Sequence, residues 1–367
     1  MTAVRAAVMV GPGKPIELRE FPEPELEVGA ALLRTLASEV CGTDVHLWHG
    51  RLPEVPFPII PGHTNVGALE KLRGEILDLE GEPFREGDLV TFLDVHETCG
   101  RCWYCLVAKA TTRCPHRKVY GITYSAREGL LGGWSENIYL KPGVKLLRLP
   151  AGLTAEAFIA GGCGLPTAVH ALERAGLLPG DTVAVQGSGP VGLWATALAH
   201  RGGAAQVITL GAPEARLAVA RRLGASATID ITGLGSAERV EAVRERTGGR
   251  GADVTIEATG AAEAVLEGLR MTRDAGRYVI VGQYTDGGAV SLNPHYDLNR
   301  KHIEVRAVWG IDFSHLYRAV QLLARWAPEL PLAEILTRRY RLGEAEQALR
   351  DVEDLRVVKA VLEPNVR

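Results

Sequence analysis

The chain has 367 residues and a nearly balanced charge, with 41 Lys and Arg against 44 Asp and Glu, and 46% of its residues are apolar. This is an ordinary globular composition. It offers no basic surface for nucleic acid and no apolar run long enough to cross a bilayer. The N-terminal residues lack the pattern of a secretion signal, so we expect a cytoplasmic protein without nucleic-acid or membrane partners.

The first part of the chain, residues 1–160, is predicted to be rich in β-strand. Its apolar runs are short and are separated by Gly and Pro, as in the segments AAVMV, AALLRTLASEV, GDLVTFLDV and WSENIYL. Runs of this kind are typical of strands joined by loops. A chain of 367 residues is too long for one core, so we treat this part as one of two domains.

The second part, residues 161–304, alternates strand-like segments such as DTVAVQG, QVITLG and VTIEATG with Ala- and Leu-rich segments of helical character. Such alternation indicates βαβ units and a parallel sheet. The predicted fold class is therefore α/β, with a doubly wound parallel sheet next to a β-rich domain. Residues 305–367 are too short for a third domain and are expected to return to the first one.

A glycine motif lies between the first strand and the first helix of the second domain. Gly187, Gly189 and Gly192 form G-x-G-x-x-G directly after TVAVQ, and Pro190 and Val191 complete the turn. Glycines at these positions permit a tight turn, the approach of a diphosphate to the backbone, and close packing of helix on strand. The motif predicts a dinucleotide site at the N-terminus of the following helix.

The end of the next strand bears on the choice of cofactor. NAD-binding sites usually carry an acid there to hold the ribose hydroxyls, but Gly211 follows QVITL in this chain. The loss of the acid admits a 2′-phosphate, yet the first arginine that could pair with such a phosphate is Arg216. Both NAD and NADP therefore stay open as the cofactor, and NAD is slightly favoured.

Four of the six cysteines lie close together in a lobe formed by residues 95–121. Their spacing, C-x2-C-x2-C-x8-C, is typical of a closed tetrahedral zinc site made by Cys99, Cys102, Cys105 and Cys114. An iron–sulfur cluster is the competing interpretation, but the last spacing does not match one. A zinc ion in this lobe would be structural, because it would hold a loop that has no core of its own.

The other two cysteines form a second candidate metal site with a histidine. Cys41 lies in SEVCGTDVH, His63 in PGHTNVG and Cys163 in AGGCGLP. Two thiolates and one imidazole with an open fourth position are typical of a catalytic zinc. The sequence therefore predicts two zinc ions per chain, one structural and one catalytic.

Together these motifs resemble the zinc-containing medium-chain dehydrogenases/reductases, the family of zinc-dependent alcohol dehydrogenases. The resemblance is carried by CGTDVH, PGHTNVG, the four-cysteine lobe, GGCG and GSGPVG, and it is closest to a less characterised bacterial branch. It implies a GroES-like catalytic domain interrupted by a Rossmann domain, and assembly into a homodimer or homotetramer. The chain departs from the family pattern at Thr64, where Glu usually follows the histidine.

The resemblance also implies roles for single residues. Thr43 would take the proton of the substrate alcohol, and His46 would pass it to solvent through the cofactor ribose. Asp44 would accept a hydrogen bond that orients His63. The residues expected to contact the cofactor beyond the glycine turn are Thr167, Ala258 and Val281.

The implied activity is hydride transfer between an alcohol and NAD(P), which interconverts the alcohol and a ketone or aldehyde. Trp48 is expected to form an apolar wall of the substrate pocket, which favours a secondary or cyclic alcohol, while polyols stay open. Two alternatives remain: a zinc-independent quinone or enone reductase, and a non-catalytic nucleotide-binding protein on the same fold. The candidate zinc ligands count against the first, and Thr43 and His46 count against the second.

Overall fold

The computed structural model describes residues 3–96 and 98–366. Four residues of the predicted regions lie outside this description: Met1 and Thr2 of the first domain, Glu97 of the four-cysteine lobe, and Arg367 at the end of the tail. No helix in the described part of the chain is both long enough and apolar enough to cross a membrane.

The described residues form strands and helices throughout. The strands are β1 Ala3–Met9, β2 Ile16–Pro22, β3 Ala30–Val40, β4 Asn65–Arg73, β5 Leu89–Phe92, β6 Val95–His96, β7 Lys118–Val119, β8 Asn137–Leu140, β9 Leu146–Arg148, β10 Thr182–Gln186, β11 Gln206–Gly211, β12 Ala227–Asp230, β13 Ala252–Glu257, β14 Thr272–Ile280, β15 Glu304–Ala307, β16 Leu336–Tyr340 and β17 Lys359–Leu362. The helices are α1 Gly42–Trp48, α2 Trp103–Leu106, α3 Ala155–Gly161, α4 Gly164–Ala175, α5 Pro190–Arg201, α6 Glu214–Arg222, α7 Ser236–Arg246, α8 Ala262–Met271, α9 Phe313–Trp326, α10 Leu332–Ile335 and α11 Ala345–Glu353.

The described chain divides into two compact units. The first unit takes in Met1–Gly162, Asp312–Pro328 and Leu336–Arg367, and the second takes in Cys163–Ile311 and Glu329–Ile335. The predicted return to the first unit at residue 305 comes too early. The apolar run IEVRAVWG supplies β15, which pairs in parallel with β14 and so belongs to the sheet of the second unit.

The first unit is built around β3, which is long and apolar enough to be buried along most of its length. Within the described residues its main sheet has the order β16-β17-β3-β4-β5-β9, and β8 also pairs with β3. The tail strand β17 runs antiparallel to β3, with Val361 opposite Glu39 and Ala360 opposite Val40. The last strand of the chain thus lies next to the residues that lead into α1.

The second unit is built on a parallel sheet whose described strands have the order β12-β11-β10-β13-β14-β15. Numbered from β10, this order is 3-2-1-4-5-6, the order of the Rossmann dinucleotide-binding fold. Because the strand order reverses between β10 and β13, the carboxyl ends of these two strands border the crevice where such folds bind ligands. The predicted fold class, a Rossmann domain with a GroES-like β-rich domain, is confirmed.

Candidate active site

The first candidate metal ligand lies between the end of β3 and the start of α1. Cys41 immediately precedes α1, and its backbone N–H donates a hydrogen bond to the Asp44 carboxylate at 2.9 Å. An acidic side chain three residues into a helix satisfies a backbone donor that the helix leaves free. The bond therefore fixes the backbone of Cys41 at the start of α1.

Three donor atoms converge at this point. The Cys41 sulfur lies 3.8 Å from His63 Nε2, and the donors of Cys41, His63 and Cys163 all lie within 4.8 Å of one another. Zinc bonds of about 2.3 Å to sulfur and 2.0–2.1 Å to nitrogen, at a tetrahedral angle, place the two atoms roughly 3.6 Å apart. The donor set therefore fits a zinc ion in both chemistry and spacing. Cys163 is bonded to Gly162, the last residue of the first segment of the first unit.

The charges around His63 favour a cation. Burial lowers the pKa of the imidazole, but the Cys41 thiol beside it reverses this effect and raises the pKa to about 10. The carboxylates of Asp44 and Asp94 act in the same direction. A cluster of negative groups that holds a proton on a buried histidine would equally favour a bound divalent cation.

Asp44 does not orient His63 through a hydrogen bond, contrary to the expectation from the sequence. Its Oδ2 atom accepts the Cys41 N–H, while its Oδ1 atom and His63 Nδ1 are both buried without a hydrogen-bond partner among the described residues. The helix start takes the carboxylate because the Cys41 N–H is closer in sequence and needs an acceptor. The influence of Asp44 on His63 is electrostatic, and burial raises the pKa of Asp44 itself well above its usual range.

Thr43 and His46 are three residues apart on α1, a spacing that places two side chains on the same face of a helix. Both are half-buried, while Asp44, Val45 and Leu47 between and beside them are buried. Burial, assisted by the positive charge of Arg51, lowers the pKa of His46. The imidazole is therefore neutral at pH 7 and has a nitrogen that can accept a proton.

Trp48, which the sequence predicts to form a wall of the substrate pocket, is anchored in the protein by its indole N–H and by one covered ring face. It is 8% exposed, and its indole N–H donates to the backbone oxygen of Lys14 at 3.0 Å. The guanidinium of Arg350, on α11, lies over the ring at 5.0 Å from its centre. This contact ties α1 to a helix of the tail.

The four cysteines of the lobe also converge. The sulfur–sulfur distances are 3.5 Å for Cys102–Cys105, 3.6 Å for Cys114–Cys99 and 4.0 Å for Cys102–Cys114. Disulfide sulfurs lie about 2.0 Å apart, whereas sulfurs on a tetrahedral zinc lie roughly 3.8 Å apart. The N–H of Arg101 lowers the pKa of Cys99 to about 6, which favours the thiolate that a metal needs.

The glycine turn has the geometry that a dinucleotide requires. Gly187 follows β10 with φ +110°, and a Cβ at Gly192 would approach the Gly187 carbonyl oxygen to less than 3 Å. A Cβ at Gly189, by contrast, would meet no atom within 4 Å, so the space in front of its backbone is open. Pro190 begins α5, where its missing N–H costs nothing.

The loops beyond the neighbouring strands are fixed by one buried acid that the sequence analysis missed. Glu257, at the end of β13, accepts backbone hydrogen bonds from Thr259, Gly260 and Gly282 at 2.7–2.9 Å. The predicted cofactor contacts Ala258 and Val281 lie in these two loops. A carboxylate at the end of an apolar strand run, VTIE, was the available signal.

Gly211 lacks a side chain for a physical reason. A Cβ there would approach the Ser188 side chain and backbone to less than 3 Å, so no acid fits. Asp230, at the end of β12, is the register partner of Gly211 and is exposed. Hydrogen bonds from Thr232 lower the pKa of Asp230, so it is ionised at neutral pH. Arg216 is largely buried in α6, and burial lowers its pKa.

Thr167, the remaining predicted cofactor contact, lies in α4 and donates its N–H to the Cys163 carbonyl at 3.3 Å. Gly164, between them, packs against Pro190, since a Cβ there would lie 3.0–3.1 Å from that residue. The helix that follows Cys163 is therefore held against the start of α5. This places the candidate nicotinamide contact and the glycine turn in one packed part of the second unit.

Comparison with known proteins assigns the chain to a family. Residues 27–151 match a family model described as the alcohol dehydrogenase GroES-like domain, and residues 190–325 match one described as zinc-binding dehydrogenase. A 5-exo-hydroxycamphor dehydrogenase from Pseudomonas putida is 37% identical over 365 residues, which cover 99% of each chain. An alcohol dehydrogenase from Thermotoga maritima has a structure with TM-score 0.93 at 33% identity, covering 100% of each chain.

A zinc-binding dehydrogenase from Sinorhizobium meliloti, solved with NADP bound, superposes with TM-score 0.87 at 27% identity and covers 99% of this chain and 100% of that one. The chain belongs to the zinc-containing medium-chain dehydrogenase/reductase family, which confirms the resemblance read from its motifs. It is an alcohol oxidoreductase that works with zinc and a nicotinamide cofactor on small-molecule substrates.

The glycine turn yields a prediction that separates folding from binding. Gly189→Ala should leave the thermal unfolding temperature near that of the wild type, because the added Cβ has open space. It should weaken nicotinamide-cofactor binding at least about tenfold, because the methyl group occupies the approach to the backbone. Gly192→Ala should instead lower the unfolding temperature, because its Cβ meets the Gly187 carbonyl. Calorimetry of unfolding and of cofactor binding measures both, and unweakened binding in Gly189→Ala would contradict the assignment.

Proposed function

We propose that this protein oxidises an alicyclic secondary alcohol to the ketone with NAD, at a zinc ion held by Cys41, His63 and Cys163. The observation that carries the proposal is the convergence of these three donors within 4.8 Å, a set with room for a fourth, exchangeable ligand. A zinc-independent reductase would have no use for two thiols and an imidazole at this spacing. The roles of the individual residues rest on the family resemblance together with this geometry.

A second zinc ion would be held by Cys99, Cys102, Cys105 and Cys114. Four sulfurs at tetrahedral spacing leave no position for substrate, so this zinc would be structural. The lobe needs such a centre because α2 has no buried residue of its own. Burial together with Cys102 raises the pKa of Cys105 to about 12, so a bound cation would be needed for all four cysteines to be thiolates together.

When bound, the catalytic zinc would act as a Lewis acid that makes the substrate hydroxyl more acidic, and the nicotinamide would take the hydride. The chain's own residues would manage the proton. Thr43 Oγ1 would accept it from the substrate hydroxyl and pass it on toward the neutral ring of His46, one helical turn away on α1. The low pKa of His46 would then let the imidazole release the proton to solvent at neutral pH.

Thr64 occupies the position where the family usually has an acid, but other acidic residues lie near His63. Asp44 and Asp94 both act on His63 through space. A metal bound by two thiolates and one imidazole would carry no formal net charge, so these acids would decide how strongly it polarises a substrate. We therefore expect activity to survive the replacement at Thr64.

NAD is the proposed cofactor, rather than NADP. Arg216, the first arginine after the strand end that would meet the adenosine ribose, is largely buried, which disfavours its pairing with a 2′-phosphate. Asp230 is ionised and is in register with Gly211, so it would repel a 2′-phosphate there. Glu214, at the start of α6, adds a second carboxylate, although Arg221 pairs with it.

The proposed assembly is a homodimer, or a tetramer made of two dimers. β15 is the edge strand of the described parallel sheet, and Val305 on it is exposed. An exposed edge with unpaired backbone groups can pair with a second copy of itself, which would join two sheets into one. Light scattering at micromolar concentration measures the assembly, and a monomer would refute this part of the proposal.

The proposed substrate class leads to a direct assay of specificity. We expect 5-exo-hydroxycamphor and cyclohexanol to have kcat/KM values at least about tenfold above those of ethanol, sorbitol and L-threonine, each measured with NAD and with NADP. The expectation rests on the 37% identity to a 5-exo-hydroxycamphor dehydrogenase. A higher kcat/KM for a polyol or an amino alcohol would refute the substrate class, and a preference for NADP would refute the cofactor.

The two metal sites should separate under mutation. The wild type should contain about two zinc ions per chain by elemental analysis. Cys163→Ala should contain about one, lose turnover and still bind the cofactor, because the glycine turn is untouched. Cys102→Ser should also lose about one zinc, but with lower thermal stability and near-normal turnover per folded chain. Full zinc and full activity in Cys163→Ala would remove the catalytic assignment.

The proton path should show in the pH dependence of turnover. Thr43→Val should keep its zinc but lose roughly 10²–10⁴ in kcat, whereas Thr43→Ser should stay near the wild type, because the hydroxyl is retained. Since the pKa of His46 lies below its usual 6.5, alcohol oxidation should be full above that pKa and fall as the ring is protonated at lower pH. His46→Ala should abolish this acid limb. A wild-type rate in Thr43→Val in every buffer would refute the path.

A further inference from the structure

A buried ion pair joins the second-last residue of β3 to the first residue of β17. Glu39 and Lys359 are each 1% exposed, and the Lys359 ammonium contacts the Glu39 carboxylate. They are 320 positions apart in sequence. Charged side chains are almost never fully buried unless they are paired, and a buried pair adds little net stability over apolar residues of similar size. Stability alone therefore gives no reason for this pair.

The pair lies directly against Gly162, which precedes Cys163. Gly162 ends α3 with φ +51°, and its N–H donates to the Phe158 carbonyl at 3.0 Å. A Cβ on Gly162 would approach both the Glu39 carboxylate and the Lys359 ammonium to less than 3 Å. Only the bare backbone of glycine can lie this close to the two charges.

Glu39 is connected to all three candidate metal ligands. It precedes Cys41 by two residues on the same chain segment. Its backbone N–H donates to the carbonyl of Thr64 at 3.0 Å, and Thr64 follows His63. Its carboxylate lies against Gly162, to which Cys163 is bonded. Three segments thus meet at one residue: the segments of Cys41 and His63 through the backbone of Glu39, and that of Cys163 through its carboxylate.

We propose that Glu39, held and neutralised by Lys359, is the positioning residue of the catalytic metal site. It sets the mutual spacing of Cys41, His63 and Cys163 without touching substrate or cofactor. The inference rests on the proposed function, because it takes these three residues as the metal ligands. The fixed charge pair contacts the Gly162 backbone and holds it in one position. A flexible apolar contact would define that position less closely.

The test compares the zinc held by variants with that of the wild type, using release of zinc to a chelator and the absorption spectrum of the cobalt-substituted protein. Lys359→Met removes the cation that pairs with Glu39, and Gly162→Ala inserts a methyl group against the two charges, next to Cys163. Each variant should release one of its two zinc ions at least about tenfold faster than the wild type. Removal of groups that support a metal ligand typically weakens metal affinity about 10–100-fold. The thiolate-to-cobalt band of that site should shift, while the four-cysteine site keeps its zinc.

Two controls isolate the effect. Gly13→Ala also places a side chain at positive φ, +66°, but its Cβ would meet nothing within 4 Å, so its zinc release should match the wild type. Asp181→Asn breaks the largely buried ion pair with Arg277 in the second unit. This variant should have lower thermal stability but unchanged zinc release. Faster release in either control would show that general destabilisation accounts for the loss of zinc and would overturn the proposal.

A double variant separates positioning from stability. Glu39→Gln with Lys359→Met removes both charges at similar volume, so thermal stability should return to near the wild-type value. Zinc release should stay fast, because the charged contacts to Gly162 are gone. Recovery of both properties would overturn the inference. If Lys359→Met does not fold, Glu39→Gln serves in its place, since a lysine beside an amide can lose its proton and remain buried.

The outcomes also distinguish a failure of this inference from a failure of the proposed function on which it rests. A wild-type protein without zinc at Cys41, His63 and Cys163 would overturn the proposed function and the inference together. A wild-type protein with about two zinc ions, whose variants hold both as tightly, would overturn the inference alone.

Discussion

Strand β3 is the element on which the first unit depends, because β4, β8 and β17 all bond to it. A strand that is paired on both sides and buried along most of its length has its register strongly fixed. A slip of one residue would turn Glu39 to the opposite face and separate it from Lys359. The same slip would displace Cys41, which follows the strand directly. The register of β3 in the sheet therefore also fixes the spacing of the metal donors.

Glycines around Cys163 show how that constraint is passed along the chain. Gly162 and Gly164 flank the cysteine, and each lies where a side chain would press into a neighbour. Gly162 lies against the charges of Glu39 and Lys359, and Gly164 lies against Pro190 at the start of α5. The short segment GGCG is thus fixed on both sides of its thiol. Close backbone packing, rather than flexibility, explains these two glycines.

Features that act locally were readable in the sequence. The glycine motif and the four-cysteine spacing involve residues within about one turn or loop, so sequence distance reports spatial distance. The α/β fold class and the family were predicted for the same reason and are confirmed. The domain to which IEVRAVWG belongs was not predicted, because the pairing of β15 with β14 is not encoded by either strand alone.

Apart from the convergence of Cys41, His63 and Cys163, which their residue types and the family resemblance predict, features that depend on long-range contacts were not readable. Asp44 was expected to serve His63 and is used instead to cap α1, because its own backbone neighbour competes for the carboxylate. The contact of Trp48 with Arg350, a residue of the tail, was likewise not visible in the sequence. Glu39 is one of several polar residues in β3, and only the fold brings Lys359 to it. The assigned roles of the site residues remain predictions.

The position of Lys359 in the chain has a consequence for biosynthesis. Lys359 follows Glu39 by 320 positions, so Glu39, both cysteine sites and His63 are all synthesised well before the cation that pairs with Glu39. Until β17 adds to the sheet, burial of the Glu39 carboxylate would cost several kcal/mol. The sheet of the first unit therefore closes only after β17 has been synthesised, and until then the candidate metal ligands are not yet held at their final spacing.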